Sequence, residues 1–108
     1  MKRDIPPCKG FWILPGGTVQ LGENLEQAVR RVAEDETGLE VKVGERLGII
    51  EYSRHVAFGQ TISIVYSAEA VSGQLRGNRY GRRVEVFKEK PRKMISEQSE
   101  FLRRELLS

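Results

Sequence analysis

The apolar residues in the first third of the chain predict one amphipathic helix. Five of them recur at steps that place them on a single helix face: Leu25, Ala28, Val29, Val32 and Ala33. Asn24 is a favourable N-cap residue, and Gln27 three residues later can complete a capping box. Gly38 stands where a helix commonly ends in a left-handed residue. We therefore predict a helix from Asn24 to about Gly38, with its apolar face packed on a sheet.

Alternation of apolar and polar residues predicts strands in the remainder of the chain. The strongest segment is 60–71, in which Ile62, Ile64 and Tyr66 alternate with smaller or polar residues. Shorter extended segments are predicted at 11–14, at 41–52 and at 84–87, with Gly44 and Gly48 as bends or bulges. A last helix begins near Ser96, and its inner side is predicted to carry Ile95, Phe101, Leu102 and Leu106. Short strands mixed with two helices predict an α+β fold or an α/β/α sandwich.

Length and composition bound the class of protein. A chain of 108 residues can bury one core, so we expect a single domain over residues 1–108. The single cysteine, Cys8, cannot form an internal disulfide, and no cysteine and histidine have zinc-ligand spacing. No apolar run approaches the roughly 20 residues that span a bilayer, and the first residues lack a signal-peptide core. These features predict a cytoplasmic protein with no membrane partner.

Charge is distributed unevenly along the chain. Residues 23–51 carry eight acidic and four basic side chains, whereas residues 76–93 carry eight basic and two acidic ones, within a net charge of +3. A ligand that bears phosphate, together with a cation, would suit both halves. Surfaces that bind single-stranded nucleic acid place several aromatic side chains among their basic ones. The arginine-rich loop 76–83 contains a single tyrosine. We therefore do not expect nucleic acid as a partner.

Three consecutive carboxylates end the predicted helix: Glu34, Asp35 and Glu36. Adjacent carboxylates repel one another unless a cation or a basic group lies among them. Glu36 falls four residues after Val32 and seven after Val29, so it continues the apolar face of the helix. A carboxylate in line with a buried face predicts a cation site at this end of the helix.

Gly17, Glu23 and the run from Arg31 to Leu39 together resemble the Nudix box, whose pattern is G-x5-E-x7-R-E-U-x-E-E-x-G-U with U aliphatic. The resemblance covers most of the chain, and it implies a Nudix-type α/β/α sandwich with a mixed sheet. Nudix hydrolases cleave a nucleoside diphosphate linked to another moiety, such as a sugar, with Mg²⁺ or Mn²⁺. It therefore implies a divalent-cation-dependent hydrolase of a nucleotide-derived small molecule.

The same resemblance assigns roles to individual residues. Glu23 and Arg31 would form the ion pair that braces the loop against the helix, and Asp35 and Glu36 would bind the metal with the Gly16 carbonyl. Glu36, Asp35, Arg31 and Glu23 are thus the candidate catalytic residues. The candidate substrate-binding residues are Arg3, Trp12 by stacking on a base, and Arg54 by reaching a phosphate.

Val32 departs from the pattern, because the family's box has a metal-binding glutamate at this position and valine cannot bind magnesium. Three interpretations follow. A carboxylate elsewhere replaces it, with the candidates being Glu34, Glu51, Glu97 and Glu100. Alternatively, the chain resembles the GDP-mannose mannosyl hydrolase branch, which lacks that glutamate, attacks the sugar carbon and uses a histidine base, here His55. In the third interpretation the fold is a catalytically impaired nucleotide- or RNA-binding module.

The start of the chain is a second departure. Nudix domains open with one or two strands before the residues that correspond to Lys2 and Arg3, and this sequence leaves no room for them. A missing strand would leave backbone groups at a sheet edge without partners. We expect the sheet to lack its first strand, with either a homodimer completing it or the sequence being a truncated product. A monomeric mass in solution would contradict the homodimer.

Overall fold

The computed structural model describes residues 1–4, 9–52, 61–77, 81, 83–87 and 89–105. Four elements follow in order: helix α1 (Leu25–Thr37), strand β1 (Leu39–Glu51), strand β2 (Ile62–Gly73) and helix α2 (Ser96–Glu105). The predicted α+β class is confirmed. No helix among the described residues is both long and apolar enough to cross a membrane.

Helix α1 has the ends that its sequence predicts. The Asn24 side chain accepts from the Gln27 backbone N–H at 2.8 Å, and the Gln27 side chain accepts from the Asn24 N–H at the same distance. Gly38 ends the helix with φ 77°, a left-handed conformation that glycine adopts without a Cβ penalty. Local capping signals thus fix both ends of the element that carries the acidic cluster.

Strands β1 and β2 form an antiparallel pair that runs from Leu39 opposite Gly73 to Glu51 opposite Ile62. The register shifts three times along β1: between Glu40 and Val41, between Val43 and Arg46, and between Arg46 and Gly48. The second and third shifts fall at the glycines predicted as bends or bulges, so that prediction is confirmed. Because only Gly38 separates α1 from β1, the acidic end of the helix lies next to the start of the hairpin.

The start of the chain lies between two other segments. Lys2 forms isolated antiparallel bridges with Trp12 and with Arg83, and Trp12 forms a parallel bridge with Met94. Parallel and antiparallel bridges therefore both occur here, outside the two-stranded antiparallel sheet. The strands predicted at 11–14 and 84–87 are not formed as such in the described residues. Residues 11–13 pair with the start of the chain, since the Arg3 N–H donates to the Phe11 carbonyl at 3.0 Å and the Ile13 N–H donates to the Met1 carbonyl at 2.8 Å. Within the part of the chain that the structure describes, segment 84–87 forms no bridge of its own, and the bridge next to it is at Arg83.

The core lies between the hairpin and α2. Its buried residues are Ile50, Tyr52, Ile95 and Phe101, and five partly buried residues pack against them: Phe11, Ile13, Leu47, Val65 and Leu102. The inner side predicted for the last helix is confirmed for Ile95, Phe101 and Leu102, whereas Leu106 lies outside the described residues.

Strand β2 presents the opposite face from the one its alternation indicates. Ile62 and Ile64 are 63% and 45% exposed, whereas Val65 packs against the core. Ile64 pairs directly with Ile49, which is also exposed. The cause is the pairing with β1, since Ile50 lies in the core and its neighbour Ile49 therefore points to the other side.

Candidate active site

Glu36 is a buried carboxylate held at the end of α1. Its side chain is only 8% exposed, and its Oε2 accepts from the Gly16 backbone N–H at 3.0 Å. Burial raises the pKa of Glu36, the Gly16 hydrogen bond opposes that rise, and the neighbouring Asp35 charge adds to it. The positive charges of the Met1 ammonium group and of Arg3 act in the opposite direction and lower the pKa. The backbone of Arg3, a substrate-binding candidate, is hydrogen-bonded to Phe11 and Gly10.

The predicted pair of Glu23 and Arg31 is formed. Arg31 Nε donates to Glu23 Oε2 at 2.7 Å and Arg31 Nη2 donates to Glu23 Oε1 at 3.0 Å, a bidentate contact. Arg31 Nη2 also donates to the Thr18 carbonyl at 2.8 Å. The hydrogen bonds from Arg31 and from the Gln20 backbone hold the pKa of Glu23 below its usual value. One guanidinium thus ties the loop before the helix to the middle of the helix.

Val32 has a packing role that the sequence did not reveal. A Cβ placed on Gly17 would lie 2.8 Å from Val32 Cγ2, closer than nonbonded carbon atoms approach. The valine methyl groups therefore occupy the space beside the glycine turn where the family's pattern has a carboxylate. An apolar side chain stands against the backbone of the turn that also presents Gly16 to Glu36.

Replacing Gly17 with alanine should destabilise the domain by about 1–3 kcal/mol, the usual cost of overpacking. The branched valine cannot move its methyl group away, because χ1 of valine in a helix has one preferred rotamer. The double variant Gly17→Ala with Val32→Ala should recover most of the loss in urea denaturation. Gly16→Ala is the control, since its nearest atom is the Leu14 carbonyl oxygen at 4.0 Å. Equal stability of Gly17→Ala and Gly16→Ala would contradict the close contact.

Gln98 positions the segment that leads into the turn, and sequence reasoning missed it. Its Oε1 accepts from the Leu14 backbone N–H at 2.7 Å, and its Nε2 donates to the Tyr52 hydroxyl at 3.1 Å. Leu14 lies two residues before Gly16, so this buried amide fixes the approach to Glu36. No local signal could have found it, because Gln98 and Leu14 are 84 residues apart in sequence.

The residues at the end of α1 suit a magnesium ion. Mg²⁺ prefers oxygen ligands and usually keeps several waters, with one or two carboxylates and the substrate phosphates completing its shell. Asp35, Glu36 and the Gly16 carbonyl are donors of this kind. No group of three or more histidine, cysteine or acidic side chains that could hold a metal ion occurs among the described residues. The available set therefore fits an ion shared with a phosphate ligand better than a site built of protein alone.

Three of the acids considered as replacements for the carboxylate missing at Val32 line the same cavity, but among the described residues they do not form a group that could hold a metal ion. Glu51, Glu97 and Glu100 line one cavity of about 390 Å³ between the end of β1 and α2. Glu97 is buried, and its Oε1 accepts from the Ser96 hydroxyl at 2.8 Å. The fourth, Glu34, is exposed on α1 and does not line this cavity. His55 and Arg54 lie outside the described residues, so their proposed roles stay predictions.

Trp12 is half-buried and contacts two side chains from the segment 83–87. Its ring centroid lies 4.8 Å from that of Phe87 at an interplanar angle of 78°. The Arg83 guanidinium carbon lies 5.8 Å from the Trp12 ring centroid. The predicted substrate-binding residue is therefore part of an aromatic and cationic group rather than of the hydrophobic core.

Comparison with known proteins supports the family that the sequence pattern indicates. The chain is 38% identical over 87 residues to the ADP-ribose pyrophosphatase of Methanocaldococcus jannaschii, covering 81% of this chain and 52% of that protein. It is 44% identical over 50 residues to the low-salt glycan biosynthesis protein Agl8 of Haloferax volcanii, covering 46% of this chain and 32% of that protein. The chain thus spans about half or less of the length of these relatives.

The family comparison covers nearly the whole chain. A model described as the NUDIX domain matches residues 1–103. The helices and the antiparallel hairpin of the described residues agree with the α+β class of that fold. Arg31 bound to Glu23, and Glu36 bound to the glycine turn, stand where the sequence pattern of the family places them. The chain therefore belongs to the Nudix family.

Proposed function

We propose that this chain is a divalent-cation-dependent pyrophosphohydrolase of a nucleoside diphosphate linked to another moiety. The observation that carries the proposal is the buried Glu36 carboxylate, fixed by the Gly16 N–H at the end of a helix whose loop is braced by Arg31. ADP-ribose is the first substrate to test, because a relative that shares 38% identity bears the name ADP-ribose pyrophosphatase. A cytoplasmic location and a homodimer stay predictions.

The residues of this chain have separable tasks in such a reaction. Mg²⁺ or Mn²⁺, when bound by Asp35, Glu36 and the Gly16 carbonyl, would neutralise the pyrophosphate and lower the pKa of a bound water. Glu36 supplies a carboxylate whose orientation is set before substrate arrives, because one oxygen is already held by the turn. Glu23 and Arg31 keep the loop 18–23 against α1, so the glycine turn and the end of the helix keep their positions relative to each other.

A screen of pyrophosphate substrates with and without Mg²⁺ tests this proposal. ADP-ribose hydrolysed at phosphorus yields AMP and ribose 5-phosphate, whereas displacement at the sugar carbon of GDP-mannose yields GDP and mannose. We expect Mg²⁺-dependent release of AMP from ADP-ribose. Release of GDP and free mannose instead would favour the sugar-carbon mechanism. No turnover of any nucleotide sugar, ADP-ribose, dinucleotide or oxidised triphosphate would contradict the hydrolase.

The alternative is a nucleotide- or RNA-binding module without catalysis. The observation that favours it is Val32, which fills the position of a metal-binding carboxylate with two methyl groups packed at Gly17. Binding by such a module would persist in EDTA and would fall steeply with salt, since it would depend on phosphate contacts. The hydrolase instead requires the cation for turnover.

A further inference from the structure

A buried amide connects the core to the segment before the glycine turn. Gln98 lies in the first turn of α2 and is 8% exposed. Its Nε2 donates to the Tyr52 hydroxyl at 3.1 Å, and its Oε1 accepts from the Leu14 N–H at 2.7 Å. Tyr52 directly follows β1 and belongs to the core cluster. We call these two hydrogen bonds the amide link, which joins the end of β1 and α2 to Leu14.

Both contacts of Gln98 select the same orientation of its amide. The oxygen of an amide group only accepts hydrogen bonds, and the nitrogen only donates them. The Leu14 N–H therefore requires the oxygen, whereas the Tyr52 hydroxyl accepts from the nitrogen. Turning the amide over would place two donors against each other at Leu14, and a buried donor that loses its acceptor is costly. The link thus holds Leu14 in one position.

The chain from Leu14 to Gly16 can absorb little movement. The ring of Pro15 locks its φ angle at about −65°, and it keeps the preceding residue, Leu14, out of the helical region. Few backbone dihedral angles therefore remain free between the Leu14 and Gly16 amide groups. Gln98 holds the first of these groups, and the second donates to Glu36 Oε2 at 3.0 Å. A shift at Leu14 consequently reaches the Glu36 carboxylate.

The amide link holds the glycine turn from the side opposite to Arg31. Arg31 donates to the Thr18 carbonyl, which follows the glycines, whereas Gln98 bonds to Leu14, which precedes them. The two contacts come from different helices, α1 and α2. The turn is therefore fixed at both of its ends, and only the end at Thr18 lies inside the Nudix box pattern.

We propose that the amide link sets the position of Glu36 for the reaction, which makes Gln98 a positioning residue that acts through Leu14 and Gly16. The inference rests on the proposed function, because it takes Glu36 as the carboxylate that serves hydrolysis. Loss of the link leaves the charge of Glu36 in place but lets the Gly16 N–H shift. A displacement of about 1 Å in a preorganised site can cost up to about 100-fold in rate. Turnover should therefore fall while substrate binding is kept.

The variants Gln98→Met and Tyr52→Phe, alone and combined, test the proposal through kcat and KM for ADP-ribose with Mg²⁺. Methionine has a similar volume without an amide, so Gln98→Met removes both hydrogen bonds with little change in packing. We expect its kcat to fall about 10- to 30-fold, with KM changed less than about twofold. Tyr52→Phe should lower kcat about threefold, since it loses one hydrogen bond of the link. The double variant should match Gln98→Met, because the two residues act as one unit and their effects do not add.

Amide hydrogen exchange at Gly16 gives a readout that does not require turnover. In Gln98→Met, Gly16 should exchange about 10-fold faster relative to the amides of the hairpin formed by β1 and β2, because its local opening becomes easier. Phe101→Leu is the matched control, since Phe101 lies in α2, is 1% exposed and packs in the same core. It should lower the thermal midpoint but keep the Gly16 exchange ratio, with kcat within about twofold of the unsubstituted chain.

A kcat for Gln98→Met equal to that for Phe101→Leu would overturn the proposal, and so would losses that multiply in the double variant. An unchanged Gly16 exchange ratio in both Gln98→Met and Tyr52→Phe would also overturn it. If Gln98→Met does not fold, Tyr52→Phe carries the same two measurements. Faster exchange at Gly16 in a chain that hydrolyses no substrate would support the amide link while contradicting the hydrolase. Hydrolysis of ADP-ribose with full kcat in Gln98→Met would do the reverse.

Discussion

Replacing Glu36 with glutamine is expected to lower kcat for ADP-ribose by at least about 100-fold, because the variant loses the negative charge that would bind the metal. Glutamine retains a side-chain oxygen that can accept from the Gly16 N–H, so the turn keeps its hydrogen bond. Burial raises the pKa of Glu36, which means that the folded state bears a cost for the charged form. The thermal midpoint of Glu36→Gln should therefore equal or exceed that of the unsubstituted chain.

Glu34→Gln is the matched control for this experiment. Glu34 lies two residues earlier on the same helix, carries the same charge and is exposed. Its substitution should change kcat by less than about twofold, as expected for a surface residue outside the site. If both variants retained full turnover, Glu36 would have no catalytic part, and if both lost it, the effect would reflect the overall charge of the helix end.

Replacing Arg31 with methionine is expected to lower kcat about 10- to 100-fold with little change in nucleotide binding. The variant loses both hydrogen bonds to Glu23 and the one to the Thr18 carbonyl, so the loop is no longer tied to α1. Arg31→Lys should restore little, because an ammonium group cannot form the bidentate contact. AMP titration monitored by the fluorescence of Trp12, the single tryptophan of the chain, separates the two effects, since Trp12 is a candidate base-binding residue outside this loop.

Arg30→Met is the control for the Arg31 variants. Arg30 is the adjacent residue on α1, has the same charge and is exposed to solvent. Its activity should stay within about twofold of the unsubstituted chain. A kcat for Arg31→Met that matches that of Arg30→Met would show that the Glu23 pair does not position the loop for catalysis.

The parts of this domain that sequence predicts well are those with local signals. Asn24 and Gln27 define the start of α1, Gly38 defines its end, and helical periodicity places Glu36 on the buried face. The ion pair between Glu23 and Arg31 could be predicted only from the resemblance to the Nudix box, since the two residues are eight positions apart with a turn between them. Local physics thus predicts the helix, and the family pattern adds the contact.

The features that sequence missed depend on contacts between distant segments. Gln98 holds Leu14, and Phe87 meets Trp12, across separations that no periodicity encodes. The exposed Ile64 shows the same limitation, since pairing with β1 rather than its own alternation decides which face is buried. From the sequence, Val32 is interpreted only as the loss of a metal-binding carboxylate. The structure shows that its methyl groups pack at Gly17.

The most direct test of the proposed hydrolase is the release of AMP from ADP-ribose by the unsubstituted chain and by Glu36→Gln, each titrated with Mg²⁺ after chelation. We expect AMP release that is absent in EDTA, rises saturably with Mg²⁺, and is lost in Glu36→Gln at every Mg²⁺ concentration. Contradiction would come from the unsubstituted chain releasing no AMP with saturating Mg²⁺ while still binding AMP in EDTA with a steep dependence on salt. That result would identify a nucleotide-binding module on a Nudix fold.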